Sequence, residues 1–427
     1  MLISYSVPKT RDSIYNRLKY IVYIAMEVQK LKISFENIKQ ATGHIKADYQ
    51  DENHSHFIEF KLNVPIFVRE DLIALALATL CGTKYDEISM ELTVSRITKE
   101  YIEKFTKSEL FIKTNDYSMV VSKSKDKHTL NFSGGFDSLA SLPFLPENSS
   151  LVSMNFGGHF KRELSMIKKF ESHIVTTNIL DTDFRKNSWL FMLIASILYK
   201  DYLDTSFNIS GGVIGASFLK SSRFITNYAT PLLITAANMK SIPYTLSLSE
   251  IAAIKIAAQN FPHLMDDSLV SLANPKEEKR FRKQLLLEIE IERSNLDISL
   301  PNRVTPPMKP HFNWGDNILL DHLALYIMKY RGYDTALLTV NNIPEDSIKL
   351  VDKLELSFYD RYFTDVLKFI PKRYHKKYMN TLIDSGIRPF EKNDWYEYSE
   401  TLNFLSKYHN ITPVSYTHLT LPTTPYV

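Results

Sequence analysis

Leu130-Asn131-Phe132-Ser133-Gly134-Gly135-Phe136-Asp137-Ser138-Leu139-Ala140 decides how this 427-residue chain is read. Thr129 to Phe132 is a short β-like run, a Ser-Gly-Gly turn follows it, and a helix begins behind the turn. Pro143 and Pro146 keep that helix short. In such a turn successive backbone N–H groups converge on a concavity that accepts an anion, and the dipole of the following helix adds to it. Ser133 and Ser138 offer hydroxyls, and Asp137 offers an acceptor suited to a divalent cation. Asp137 or Ser138 would also serve as a plain helix cap, which needs no ligand.

Outward from this stretch, the glycines are unevenly spread. Seven of the 12 lie between Gly134 and Gly215, among them all three Gly-Gly pairs: Gly134-Gly135, Gly157-Gly158 and Gly211-Gly212. Each pair follows a β-like run, and helix-like segments fall between the runs. Alternation of this kind predicts a parallel sheet with all three pairs at the carboxyl edge of its strands, where open α/β sheets bind ligands. Ordinary tight turns are the alternative reading of each pair. The lysine-bearing phosphate loop and the G-x-G-x-x-G fingerprint are both absent.

The string Ser133 to Ser138 resembles the S-G-G-x-D-S signature of the PP-loop ATP pyrophosphatase superfamily. That resemblance implies an α/β fold with a Rossmann-like parallel sheet of the PP-loop (HUP) type. It also implies ATP bound with Mg²⁺, cleavage between the α- and β-phosphates, adenylation of an acceptor and loss of pyrophosphate. A second stretch, Ser241 to Ala257, resembles the G-L-S-E segment of 7-cyano-7-deazaguanine synthase-like members, with Ser247 in place of the glycine. Read locally, Ser247 and Glu250 form an S-x-x-E capping box. The four-cysteine zinc site of that synthase has no counterpart, because Cys81 is the sole cysteine. The nitrile-forming reaction is therefore not carried over. The resemblance covers roughly residues 128–275.

On this reading Asp137, Ser138 and Arg185 are the catalytic candidates. Ser133, Gly134, Gly135, Phe136, Asp137, Ser138, Phe156, Gly157, Gly211 and Gly212 are the cofactor-binding candidates, and Asp137 is the metal ligand. Arg185, with Lys186, follows a third strand read at His173 to Leu180 and would act as a phosphate clamp, or as half of a solvated pair. Phe156 packs on a base or in the core. His159 is an acid–base candidate or a plain loop residue. The enzyme expected is an ATP-dependent adenylating ligase acting on an unidentified acceptor.

Four segments are expected: a small α+β domain at 1–127, the ATP-binding domain at 128–275, a mainly helical region at 276–413, and a non-native tail at 414–427. The flanking regions are candidate docking surfaces for protein partners, which leaves open a nucleotide-binding subunit of a defence or modification complex. Pro371 to Tyr378 is the most basic patch and would serve a nucleic-acid-modifying variant, or be a solvated helix face. His54 and His56 form a weak metal motif.

Composition sets outer bounds. With 51 basic and 48 acidic residues the net charge is +3, so the chain as a whole exerts no strong pull on nucleic acid or anionic lipid. A hydrophobic fraction of 44% supplies more than one core. One cysteine excludes an intrachain disulfide and fits a cytoplasmic setting. The most apolar run, Trp189 to Leu198, is shorter than the roughly 20 residues that span a bilayer, so no membrane association is expected.

Overall fold

The computed structural model describes residues 30–116, 126–213, 226, 229–300, 304–306 and 308–411. Ten strands form one sheet. They are β1 (Lys32–Ala41), β2 (His44–Asp51), β3 (Ser55–Leu62), β4 (Glu87–Ser95), β5 (Glu109–Asn115), β6 (His128–Asn131), β7 (Ser150–Asn155), β8 (Ser172–Thr177), β9 (Phe207–Ser210) and β10 (Lys240–Ser241). Their spatial order is β10-β9-β6-β7-β8-β3-β2-β1-β4-β5. Six of the nine pairings are parallel, and the three antiparallel ones join β8, β3, β2 and β1.

The half that carries the glycine pairs is wholly parallel. Counted from β6 as the first strand, β8-β7-β6-β9-β10 has the order 3-2-1-4-5 of open doubly wound sheets. The order reverses between β6 and β9, where Asn131 faces Ser210 in register. Connections leave the carboxyl ends of these two strands in opposite directions, and a crevice opens there. Gly134-Gly135 follows β6 and Gly211-Gly212 follows β9, so two of the three pairs flank this switch point.

The remaining strands extend the same sheet. β3 joins β8 antiparallel through Phe60↔Thr177, Lys61↔Thr176 and Leu62↔Val175. Asn63 tightens the seam, accepting from the Ile174 N–H at 2.8 Å and from the Tyr199 hydroxyl at 2.8 Å. Sheet and core thus run across the 127/128 boundary. Ile33, Phe35, Ile58 and Leu72 share a core with Val152, Met154, Val175 and Ile194. The helix Glu70–Cys81 is buried from Leu72 to Cys81, which explains why it is apolar on every side.

A second core holds Leu130, Phe132, Phe136 and Leu139 against the helices Glu250–Asn260, Glu278–Arg293 and Ile318–Arg331. After residue 276 the described chain is mainly helical, with one short parallel pair, β11 (Arg361–Tyr362) and β12 (Arg388–Pro389). No helix among the described residues is long and apolar enough to cross a membrane. The tail expected at 414–427 lies outside the described residues.

One local expectation is corrected. Ser249, not Ser247, caps the helix Glu250–Asn260, accepting from the Ala252 N–H at 3.0 Å. Ser247 is drawn inward instead and meets the Tyr378 hydroxyl at 2.5 Å. Both serines precede the same apolar helix run, so the sequence pattern fits either. The long-range bond to the helix Lys372–Asp384 decides between them.

Candidate nucleotide site at the switch point

The turn after β6 is fixed by its carbonyls. Three serine hydroxyls from other elements donate to three consecutive backbone oxygens: Ser153 to Phe132 at 2.7 Å, Ser271 to Ser133 at 3.2 Å, and Ser268 to Gly134 at 2.9 Å. With the oxygens held from behind, the N–H groups from Gly134 to Ser138 have no protein acceptor among the described residues. The helix Phe136–Ser141 starts here and ends before Pro143, which enters a 3₁₀ turn.

The glycines are required by close packing. A Cβ on Gly134, whose φ is +78°, would lie 2.5 Å from Met166 Cγ, and one on Gly135 would lie 2.9 Å from Leu272 Cδ2. A Cβ on Gly211 would lie 2.9 Å from the Ser138 nitrogen and 3.0 Å from the Asp137 carbonyl carbon. The two turns at the switch point therefore touch backbone to backbone.

Between them opens a cavity of about 290 Å³, near the lower end of the size range of small-molecule sites. Its lining mixes polar and apolar groups. Asn131, Ser133, Asp137, Ser138, Glu163, Ser210, Gly211 and Gly212 supply the polar part, and Phe132, Val152, Met154, Phe156, Trp189, Met192 and Leu193 the apolar part. Trp189 and Met192 are partly exposed at 44% and 37%. Asn131 donates to Asn208 Oδ1 at 2.8 Å and to the Ile209 carbonyl at 2.9 Å, and its own Oδ1 is buried without a partner. Ser138 donates to the Gly135 carbonyl at 2.9 Å and lies 3.4 Å from the Ser133 hydroxyl.

Asp137 is the most unusual group in the lining. Its Oδ1 is buried with no hydrogen-bond partner. Burial pushes its carboxyl above the usual range, Lys283 and Lys279 pull it down, and Glu250 pushes it up again. Lys283 is itself buried and ion-paired with Glu250 at 2.9 Å. No group of three or more His, Cys, Asp or Glu side chains that would hold a metal is found among the described residues. A carboxylate without a hydrogen-bond partner on one oxygen, beside such a turn, still fits Mg²⁺, which is typically held by one or two carboxylates together with the ligand's phosphates.

The sequence candidates separate in space. Ser133, Asp137, Ser138, Phe156, Gly211 and Gly212 line the cavity. Gly134, Gly135 and Phe136 shape it from behind, with Phe136 fully buried in the core. Phe156 forms cavity wall and core at once, edge-on to Phe160 and Phe191. Gly157 is outside the lining; its φ of +68° turns the chain after β7. Arg185 and Lys186 follow β8, two strands away from β6, and line a different cleft with Tyr49, Asp51, His54 and His56. His54 pairs there with Asp51, and His56 stacks on Tyr49. His159 is exposed and outside the cavity. Gly215 lies outside the described residues.

Glu163, Trp189 and Met192 were not legible in the sequence, and neither were the three serines that pin the turn. Glu163 opens the helix Glu163–Ile167, and burial pushes its carboxyl up to about 7, against smaller downward pulls from Arg162 and Lys279.

The basic patch is partly absorbed internally: Arg373 pairs with Asp126, and Lys377 donates to the Leu145 carbonyl. A larger concavity of about 770 Å³ lies over β1, β2 and β4, but Lys30 and Lys32 in its lining are ion-paired with Glu87. Compared with protein-family models, curated proteins and solved structures, the chain matches none.

Proposed function

We propose that this chain binds ATP with Mg²⁺ in the switch-point cavity and adenylates an acceptor, releasing pyrophosphate. One observation carries the reading. A turn whose carbonyls are tied back and whose N–H groups are unclaimed lines the same cavity as the aromatic and aliphatic side chains of Phe156, Trp189, Met192 and Leu193. A nucleotide likewise combines an anionic chain with a planar apolar base.

In this reading the N–H groups from Gly134 to Ser138 and the Ser133 hydroxyl receive phosphate oxygens. Trp189, Met192 and Phe156 receive the base. Asp137 holds the cation, which when bound neutralises charge on the phosphate chain and on the departing pyrophosphate. The acceptor oxygen forms a bond to the α-phosphorus as the bond to the α,β-bridging oxygen breaks, and the electron pair leaves with pyrophosphate. The protein's part is positioning and charge stabilisation, with no covalent intermediate on the chain.

The test is pyrophosphate release from ATP across carboxylate, amide and nucleobase acceptors. The Asp137→Ala/Ser138→Ala double variant is expected to lose turnover by a factor of a hundred or more, on the order of what one group stabilising the transition state supplies. Undiminished turnover in that variant removes the reading.

A second reading is favoured by a specific feature: no lysine or arginine lines the cavity among the described residues. Lys220 and Arg223, close after Gly212, lie outside them. A nucleotide-binding subunit whose partner supplies the missing cation would bind ATP alone but release pyrophosphate only when the proteins encoded beside it are added.

A further inference from the structure

We propose that Glu163 meets the ligand's phosphate chain as the neutral carboxylic acid, donating a hydrogen bond to a phosphate oxygen where its carboxylate would repel it. The inference rests on the nucleotide reading of the cavity and assigns this site a ligand group that the sequence motif does not contain.

The geometry begins with the helix Glu163–Ile167, which is locked to the Ser-Gly-Gly turn. Met166, one turn beyond Glu163, occupies the space a Cβ on Gly134 would need. Glu163 is thereby fixed in the same 290 Å³ lining as Ser133, Asp137 and Ser138. Among the described residues its carboxyl makes no hydrogen bond and no ion pair.

Among the described residues no charged group lies within ion-pair distance of it. Arg162 directs its guanidinium to three backbone carbonyls: His159 at 2.6 Å, Ser271 at 3.1 Å and Leu272 at 3.4 Å. Lys279, from the helix Glu278–Arg293, acts on Glu163 but also on Asp137 and Glu250. On the helix Met265–Leu272, which packs against this one, Asp266 faces Arg280 at 3.6 Å and Asp267 pairs with Lys169. His159, in the preceding 3₁₀ turn, is exposed. Asp137 is shifted chiefly by burial, and the charges acting on it are those of Lys283, Glu250 and Lys279.

An unpaired carboxylate in a cavity that receives a polyphosphate is electrostatically unfavourable. The proton resolves this. Burial already sets the Glu163 carboxyl at about 7, and an anion beside it raises it further. Ligand binding then draws in a proton, and affinity falls as pH rises through and above neutrality.

The experiment is calorimetric titration with ATP, in EDTA and separately with excess Mg²⁺, between pH 6 and 8.5, on the full chain and on Glu163→Gln. The amide keeps a donor in the same place without titrating. The ratio of the two dissociation constants, wild type over variant, is expected to rise by up to about tenfold per pH unit above neutrality. At pH 7.5, buffers of different ionisation enthalpy should report greater proton uptake by the wild type. Titration of Lys279 and of ATP itself is common to both proteins and cancels in the ratio. Parallel curves with equal proton uptake overturn the Glu163 assignment alone. Failure of both proteins to bind ATP at any pH removes the nucleotide reading and this inference with it.

Discussion

A methyl group at Gly211 would press on the backbone of Ser138 and Asp137, atoms that cannot rotate out of the way. Gly157 is a useful contrast, because its φ is positive, at +68°, but nothing lies within 4 Å of where its Cβ would be. Gly157→Ala should cost about 1–2 kcal/mol of backbone strain and leave the turn in place. Gly211→Ala carries no such strain but should force the two turns apart, cost roughly 1–3 kcal/mol of overpacking, and abolish ATP binding. Urea unfolding and ATP titration of both variants check this; equal ATP affinity in the two would contradict it. At this scale the glycine pairs and the Ser133 to Ser138 string were legible. Their physical reason was only partly so, since Gly134, Gly135 and Gly211 yield space to neighbouring protein atoms. Glu163 was hidden because one acidic residue at a helix start acquires its character from burial, which local sequence does not encode.

Among the elements, the helix Glu278–Arg293 departs furthest from its sequence pattern. It reads as charged on one side, yet Arg280, Arg282 and Lys283 are all buried on docking. Lys283 reaches Glu250 at the start of the neighbouring helix and acts on Asp137 behind the turn. Lys283→Met leaves both carboxylates without their main counter-charge and should cost on the order of 3 kcal/mol at pH 7. The pH dependence has a definite sign. Burial pushes the Glu250 carboxyl up, but Lys283, Arg282 and Lys279 together hold it below its ordinary value, so its stabilising share is present above that value and lost as pH falls through the lowered one. The variant's deficit should therefore shrink in acid, as measured by chemical denaturation at pH 7 and pH 4; a deficit that grows in acid would contradict this arrangement. The serines that pin the turn could not be read from sequence for a related reason. Ser268 and Ser271 act across 134 and 138 residues of chain.

On the scale of the whole molecule, alternation of strand, glycine turn and helix was enough to foresee the parallel half of the sheet and the gathering of the glycine pairs at one edge. Continuation into the N-terminal strands was not foreseeable. β3 has the same local pattern whether it ends a small sheet or pairs with β8, and only the register Phe60↔Thr177 to Leu62↔Val175 distinguishes them. Strand order also decides which basic residues reach the cavity. Arg185 follows β8, which lies two strand spacings, about 10 Å, from β6, and so faces another cleft. The central claim is that the crevice between β6 and β9 houses a nucleotide. A crystal structure with α,β-methylene ATP and Mg²⁺ tests it most directly. The account predicts the base against Trp189, Met192 and Phe156 and the phosphates over Gly134 to Ser138. An empty crevice, or the analogue seated in the Arg185 cleft, would contradict it.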